Sequence, residues 1–320
     1  METLASINFI ASMSALALAV LGALVGGTMT ALLAYFVLQW FKHRRREQYS
    51  LDTVMLRVLL PKDNEVKIEA MEQMFNALHS IKQSKWKGLL SPEDHLALEI
   101  VGLKESISFN VLTPKKLQDL VEKQIHATYP GARIKEIDEP NIFNEGGKVA
   151  FASLKLKNGD ARPLKTYRDL PSDPLNLITA AFSKLQDGEG AIFQLLIEPA
   201  SDKWRDKAQD YVRKEREAET GVDGKPKKVI DHKALEAIST KTEKMGFHVS
   251  LRIIVSAAND YSAHSHLTNI IGALSQFTSQ SNYLTKGRIF FKQAFMVDFL
   301  YRYFPFFNRN TMILNTEELA

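Results

Sequence analysis

ISFNVLTPKKLQDLVEKQIHATYPGARI, residues 107–134, carries the pattern that decides the fold. Ile107, Phe109 and Val111 alternate with Ser106, Ser108 and Asn110, the period-two signature of a strand with one face buried. Thr113 then stands where a helix N-cap is expected and Pro114 at the first helical position, where its missing N–H costs nothing. Leu117, Leu120, Val121 and Ile125 fall on one helical face, and Tyr129-Pro130-Gly131 closes the helix. Residues 132–137 read as a second strand, which completes a β–α–β unit.

The same order recurs downstream. Phe247, Val249, Leu251, Ile253 and Val255 alternate with His248, Ser250, Arg252, Ile254 and Ser256. A helix over about 263–278 follows, with Leu267, Ile270, Ile271, Leu274 and Phe277 on its apolar side. Two halves that open alike, 105–200 and 246–311, point to an α+β domain of split β–α–β units, ferredoxin-like in style. Between the openings, residues 148–156 and 164–167 read as strands around Asn158-Gly159, a hairpin signal. Residues 174–185 read as a helix, and 191–198 as a strand stopped by Pro199.

The stretch 201–245 differs in character. Trp204, Ala208, Tyr211 and Val212 mark one helix and Ala234, Leu235, Ile238 and Met245 a return helix, with a flexible turn at 221–226. This predicts a helical hairpin inserted in the sheet domain. Arg213-Lys214 and Lys227-Lys228 are basic, but 203–233 holds ten basic and seven acidic residues, the mixture of a solvated face. Residues 47–104 read as a connector. Val54, Leu56, Val58 and Leu60 alternate up to Pro61, then Ile68, Met71, Phe75 and Leu78 take helical spacing, broken at Gly88 and Ser91-Pro92.

No charged side chain occurs from Thr3 to Phe41. A bilayer crossing needs roughly 20 apolar residues, so the segment 1–46 is expected to hold a transmembrane helix, crossing at about 16–41. A cleaved signal peptide fits poorly, because Glu2 stands where basic residues belong and the run is too long. Tyr35, Phe36, Trp40 and Phe41 suit the headgroup level, and Lys42, Arg44, Arg45 and Arg46 follow. The positive-inside rule then makes this a single-pass inner-membrane protein with its C-terminal bulk in the cytoplasm. Those four basic residues are the candidate lipid-headgroup contacts, worth about 1 kcal/mol each near anionic lipid. Gly22 and Gly26 share one helix face with Ala19, Ala23 and Gly27 and are the candidate helix-packing residues of a homo-oligomer.

The net charge of +4 is carried mainly by this anchor: beyond residue 46 there remain 37 basic and 36 acidic residues. A nearly neutral body argues against direct nucleic-acid binding through an overall field. Cysteine is absent, which excludes disulfides, thiolate nucleophiles and zinc fingers. The sequence has no phosphate-binding G-x-x-x-x-G-K-[ST] and none of the zincin, hydrolase-elbow, dinucleotide-binding or kinase signatures. His264 and His266 are expected to cap and hydrogen-bond, and Asp169, Asp173, Asp187 and Glu189 to serve turns. No catalytic, cofactor or metal site is nominated. Residues 290–307 hold nine of the chain's aromatics, which suits a terminal helix on the sheet, with lipid or a partner subunit as the functional reading. Asn315-Thr316-Glu317-Glu318 is how a helix begins, and 312–320 is expected to lead into a downstream domain.

Three runs carry a family likeness: LRVLLPKDNEVKIEAMEQMFNALHSI (56–81), the 107–134 stretch above, and MILNTEELA (312–320), all after an anchor with a basic stop. Together they resemble the N-terminal membrane-anchored region of bacterial type IV secretion and conjugation ATPases related to coupling proteins. In that family the region precedes a hexameric RecA-like motor. The motor and its phosphate loop are not in this sequence, so the resemblance implies a non-catalytic anchoring and assembly domain and transfers no catalytic residue. Its implied partners are membrane lipid, further copies of itself, and other secretion components or a motor ATPase domain. The alternative is a stand-alone single-pass adaptor or scaffold for a separate cytoplasmic partner.

Overall fold

The computed structural model of the chain describes residues 2–43, 46–61, 63–84, 92–104, 106–219, 231–305 and 310–320. They divide into two compact units, Met1–Glu47 with Gln83–Pro92, and Gln48–Lys82 with Glu93–Ala320. The first unit is dominated by α1 (Glu2–His43), within which Leu16–Leu38 is long and apolar enough to cross a membrane. Twenty-three residues at a helical rise of 1.5 Å span ~35 Å, somewhat more than the hydrocarbon core of a bilayer. A short helix, α2 (Arg46–Leu51), follows it.

The second unit is α+β. Its antiparallel sheet is built, in chain order, from β1 (Thr53–Leu59), β2 (Leu96–Leu103), β3 (Ser106–Pro114), β4 (Arg133–Ile137), β5 (Lys148–Leu156), β6 (Gly190–Pro199), β7 (Gly246–Ala257), β8 (Leu284–Lys286) and β9 (Met312–Asn315). The spatial order is β4-β1-β3-β2-β6-β7-β5-β8, with β9 alongside the first residues of β7. Helices α3 (Glu69–Leu78), α4 (Gln118–Thr128), α5 (Leu175–Phe182) and α8 (Asp260–Ala273) sit in the crossover connections and share one core against one sheet face. That core takes Phe75, Val121, Phe182 and Leu267 from the helices and Phe247, Val249, Leu251 and Ile253 from β7. The period-two reading of 246–257 thus lands its apolar set on the helix-covered face.

Strand order repeats across the sheet. β1 to β4 lie as fourth-first-third-second, and β5, β6, β7 and β8 lie in the same relation, mirrored about the β2–β6 pair that joins them. The hairpin α6 (Lys203–Glu219) and α7 (His232–Glu243) interrupts the second set, its helices packed through Ala208, Val212, Leu235 and Ile238. Its expected turn, 221–226, and Lys227-Lys228 lie outside the described residues, as do Gly88, Ser91, Phe306, Phe307 and Arg309. The last helices are α9 (Lys292–Leu300) and α10 (Thr316–Leu319).

Several local expectations need correction. Residues 47–104 supply two full strands, β1 and β2, so they belong to the sheet and do not merely lead to it. Thr113 caps no helix: it is buried in β3, opposite Val54, and a 3-10 turn over 115–117 intervenes before α4. Residues 164–166 form no strand. Thr166 instead caps a 3-10 turn at Tyr167–Asp169 through a reciprocal capping box, and β5 finds its partners in β7 and β8.

Candidate functional site

The sheet face away from α3, α4, α5 and α8 carries the unusual chemistry. Register places Arg57 of β1 opposite Asn110 of β3, Asn110 opposite Glu99 of β2, Glu99 opposite Gln194 of β6, Gln194 opposite Arg252 of β7, and Arg252 opposite Ser153 of β5. A polar row therefore crosses the middle of the sheet, and from Asn110 to Ser153 every member is buried. Apolar patches flank it: Met55, Ala97, Leu112 and Leu196 on one side, Val101, Ile192 and Ile254 on the other.

Buried polar groups must find partners, or each costs on the order of 1–3 kcal/mol. Here the partners come from the row itself, from the end of α9 and from the segment after it. Gln194 Nε2 donates to Glu99 Oε1 at 2.8 Å, and Arg57 Nε donates to Asn110 Oδ1 at 3.4 Å. Arg252 donates through Nη1 to the Asp298 carbonyl at 2.8 Å and through Nη2 to the Tyr303 carbonyl. Burial brings the Arg252 guanidinium down to about 10. Arg302 closes the row from above, its Nε 2.9 Å from Glu99 Oε1 and its Nη1 on Glu139. Burial alone would lower its pKa, but the charges and hydrogen bonds of Glu99 and Glu139 raise it. The Arg302 backbone is left-handed at φ 50°, and its carbonyl accepts from His95 Nε2 at 2.8 Å.

These bonds are consumed inside the protein. Together they fasten residues 298–304 across the sheet as a strap, with Phe299 and Phe295 on one apolar patch and Phe304 on the other. The arrangement is a lock, with Glu99 as its buried anion.

A second cluster holds the C-terminal segment. Lys241 and Glu318 form a fully buried ion pair at 3.0 Å, and Lys241 Nζ also donates to the Ile313 carbonyl at 2.9 Å. Asn315 and Glu318 cap α10 reciprocally, and Glu318 accepts from the Leu164 amide at 2.8 Å. Around them Lys244 bridges Glu72 of α3 and Glu317, while Arg168 approaches the same two carboxylates at 3.5 and 3.4 Å. Burial would raise the Glu317 pKa, but hydrogen bonds from Lys244 and Thr166 and the nearby cations lower it. Burial, with the Glu72 carboxylate beside it, pushes the Tyr167 phenol up to about 12.

The residues nominated from sequence lie elsewhere. Gly22 and Gly26 are in α1, where an added Cβ would meet no described atom within 4 Å. Lys42 is in the last turn of α1 and Arg46 opens α2, whereas Arg44 and Arg45 lie outside the described residues. His264 bonds its own helix, and His266 Nε2 meets Glu189 at 2.9 Å, a pairing that sequence spacing did not indicate. Among the described residues no group of three His, Asp or Glu could hold a metal. A shallow cleft of about 410 Å³ opens between Trp204, Lys207, Tyr211, His248 and Asp160, with Asp160 spent on the Ile313 amide at 3.0 Å. The row was missed from sequence, although a signal was there: Glu99 and Arg252 each interrupt a strongly apolar strand.

No curated protein sequence matches the chain. Among solved structures, that of aclacinomycin oxidoreductase is similar at a TM-score of 0.34 and 10% identity over 70% of this chain and 41% of that one. The glycopeptide hexose oxidase DBV29, complexed with teicoplanin, is similar at 0.32 and 11% identity, over 71% and 41%. The chain thus spans about 41% of the length of these structures, and likeness at this level bears on neither fold nor activity. Residues 41–285, well over half of the chain, match a family described as a domain of unknown function, DUF8128, and the chain belongs to that family.

Proposed function

We propose that this chain is a membrane-tethered, non-catalytic assembly domain. The observation that carries the reading is the joining, in one chain, of an apolar span at Leu16–Leu38 to an α+β body whose buried charges are spent on its own cohesion. In this reading the span crosses the inner membrane once, and Lys42, Arg44, Arg45 and Arg46 keep the body cytoplasmic. Gly22 and Gly26 pack copies of the span together. The repeated strand order supports describing the body as two split β–α–β, ferredoxin-like units joined edge to edge.

The partner is the motor of a type IV secretion or conjugation-like apparatus, reached either as a domain of the same polypeptide or as a separate ATPase. The test is capture of the natively expressed, N-terminally tagged protein from membranes after chemical cross-linking. Expected are resistance to alkaline carbonate extraction, protection of the span alone from external protease in inverted vesicles, and co-capture of a nucleotide hydrolase in multiples of this chain. A protein released by carbonate overturns the tether. A membrane-bound species that cross-links to no ATPase overturns the motor partnership. A separate ATPase beside a 36.1 kDa product favours the adaptor form.

A further inference from the structure

Helix α9 has two apolar sides, and the sheet uses only one. Inward, Phe299 is buried and Phe295 stacks on Phe151 of β5 at 5.0 Å. Outward, Phe290 and Phe291 before the helix stay 65% and 74% exposed, and Val297, Leu300 and Tyr301 are exposed along it. Lys286, Arg288 and Lys292 bracket these rings and are exposed as well. Rings interleaved with lysine and arginine along one exposed stretch are what an interfacial segment presents to anionic lipid, burying apolar area while its cations meet phosphate.

Chain connectivity says which surface lies within reach. Ser50 Oγ donates to the Tyr301 carbonyl at 2.6 Å, so the start of the body is pinned to the end of α9. Ser50 is twelve residues beyond Leu38, the last residue of the span. Even fully extended, that connection reaches only about 40 Å. Tyr49 and Leu51, beside the pin, are exposed too.

From this we infer that the outward side of α9, with Phe290 and Phe291, docks on the anionic headgroup region of the membrane that the span crosses. The body then rests on the bilayer through a fixed face, and the strap that Arg252 and Arg302 fasten is what holds that face rigid. The inference rests on the span crossing the membrane.

The chain has no cysteine, so a single introduced one is a unique label site. Full-length protein carrying Phe291→Cys, Leu24→Cys in the span, or Lys123→Cys on α4 is labelled with bimane and reconstituted into vesicles. These are phosphatidylcholine with or without phosphatidylglycerol, containing lipids with a nitroxide on the headgroup and on the acyl chain as quenchers, the first read at 291 and the second at 24. Expected is quenching at 24 in both compositions, at 291 in the anionic vesicles, and none at 123. Lys286→Gln, Arg288→Gln and Lys292→Gln together, in the Phe291→Cys background, shift docking by about a hundredfold and remove most of the quenching at 291. Quenching at 24 with none at 291 overturns the docking face, and pyrene excimer at 291 in that case assigns it to a second copy instead. An unquenched label at 24 overturns the span itself. Phe291→Trp, read by brominated lipid, repeats the test without removing the ring.

Discussion

Arg302 shows how a residue can hold an unfavourable backbone for the sake of its side chain. A non-glycine residue at φ 50° costs roughly 1–2 kcal/mol, and the left-handed turn is what swings its guanidinium back over Glu99 and Glu139. Removing one partner strands a buried charge, which costs about 3–5 kcal/mol, whereas removing both costs far less. Arg302→Leu and Glu99→Leu should therefore each lower the melting temperature of the detergent-solubilised chain sharply, and the double variant should recover most of the loss. Simple additivity in that cycle would mean that the two side chains do not act as a pair. Gly102 makes a purely steric case. A Cβ there would stand 2.3 Å from Phe182 Cδ1, so Gly102→Ala forces the α5–β2 contact apart and should cost about 1–3 kcal/mol in thermal unfolding.

Elements were legible where their two faces differ in polarity. Strands β3 and β7 and helices α3, α4 and α8 follow from apolar spacing, because each turns apolar residues to the helix–sheet core and mainly polar ones the other way, and in β7 that polar side is buried as well. Strand β2 was not legible. It lies in the middle of the sheet with Leu96 and Ile100 in one core and Ala97 and Val101 in the patches opposite, so LALEIVGL shows no alternation. The Thr113-Pro114 signal misled for a related reason: the strand runs on to Pro114, and the next amide, Lys115 N, bonds the Asp52 carbonyl instead of opening a helix. Glu99 and Arg252 stood out singly, but the polar row they belong to exists only once six strands are in register. Short elements depend most on such tertiary partners. α10 has four residues, too few to repay helix nucleation unaided, and it survives on the Asn315–Glu318 box and the Lys241 ion pair. Asn315→Ala should lose about 1–2 kcal/mol, and Glu318→Gln, which leaves Lys241 buried without its anion, about 3–5 kcal/mol. Hydrogen exchange would show the loss first at 312–319, with β1–β4 protected as before; uniform loss across both halves would mean that this segment is no separate lock.

On the scale of the whole molecule, acid should loosen the body before it touches the carboxylate network. Burial lowers the pKa of His79, His95 and His248 below 6.5, in each case as the largest effect. The three lie in different parts of the second unit: His79 edge-on to Phe247, His95 under Arg302, and His248 on β7 beside the cleft. A histidine with a depressed folded pKa binds fewer protons folded than unfolded. Its stabilising contribution is therefore complete above 6.5 and is lost as pH falls through the folded value, with a slope of up to about 1.4 kcal/mol per pH unit for each proton taken up. Glu317 has the same sign but acts lower, below the ordinary carboxylate range. A scan of melting temperature from pH 8 down to 5 thus reads the histidines alone and should fall steadily below 6.5. His95→Gln keeps a donor for the Arg302 carbonyl and cannot take up a proton, so it should flatten part of that slope while leaving the carboxylate step below pH 4 in place. A melting temperature that holds level or rises between 6.5 and 5 would show that these imidazoles are as easily protonated in the fold as in the open chain. The strap and the start of β7 would then be looser than the packing around them requires.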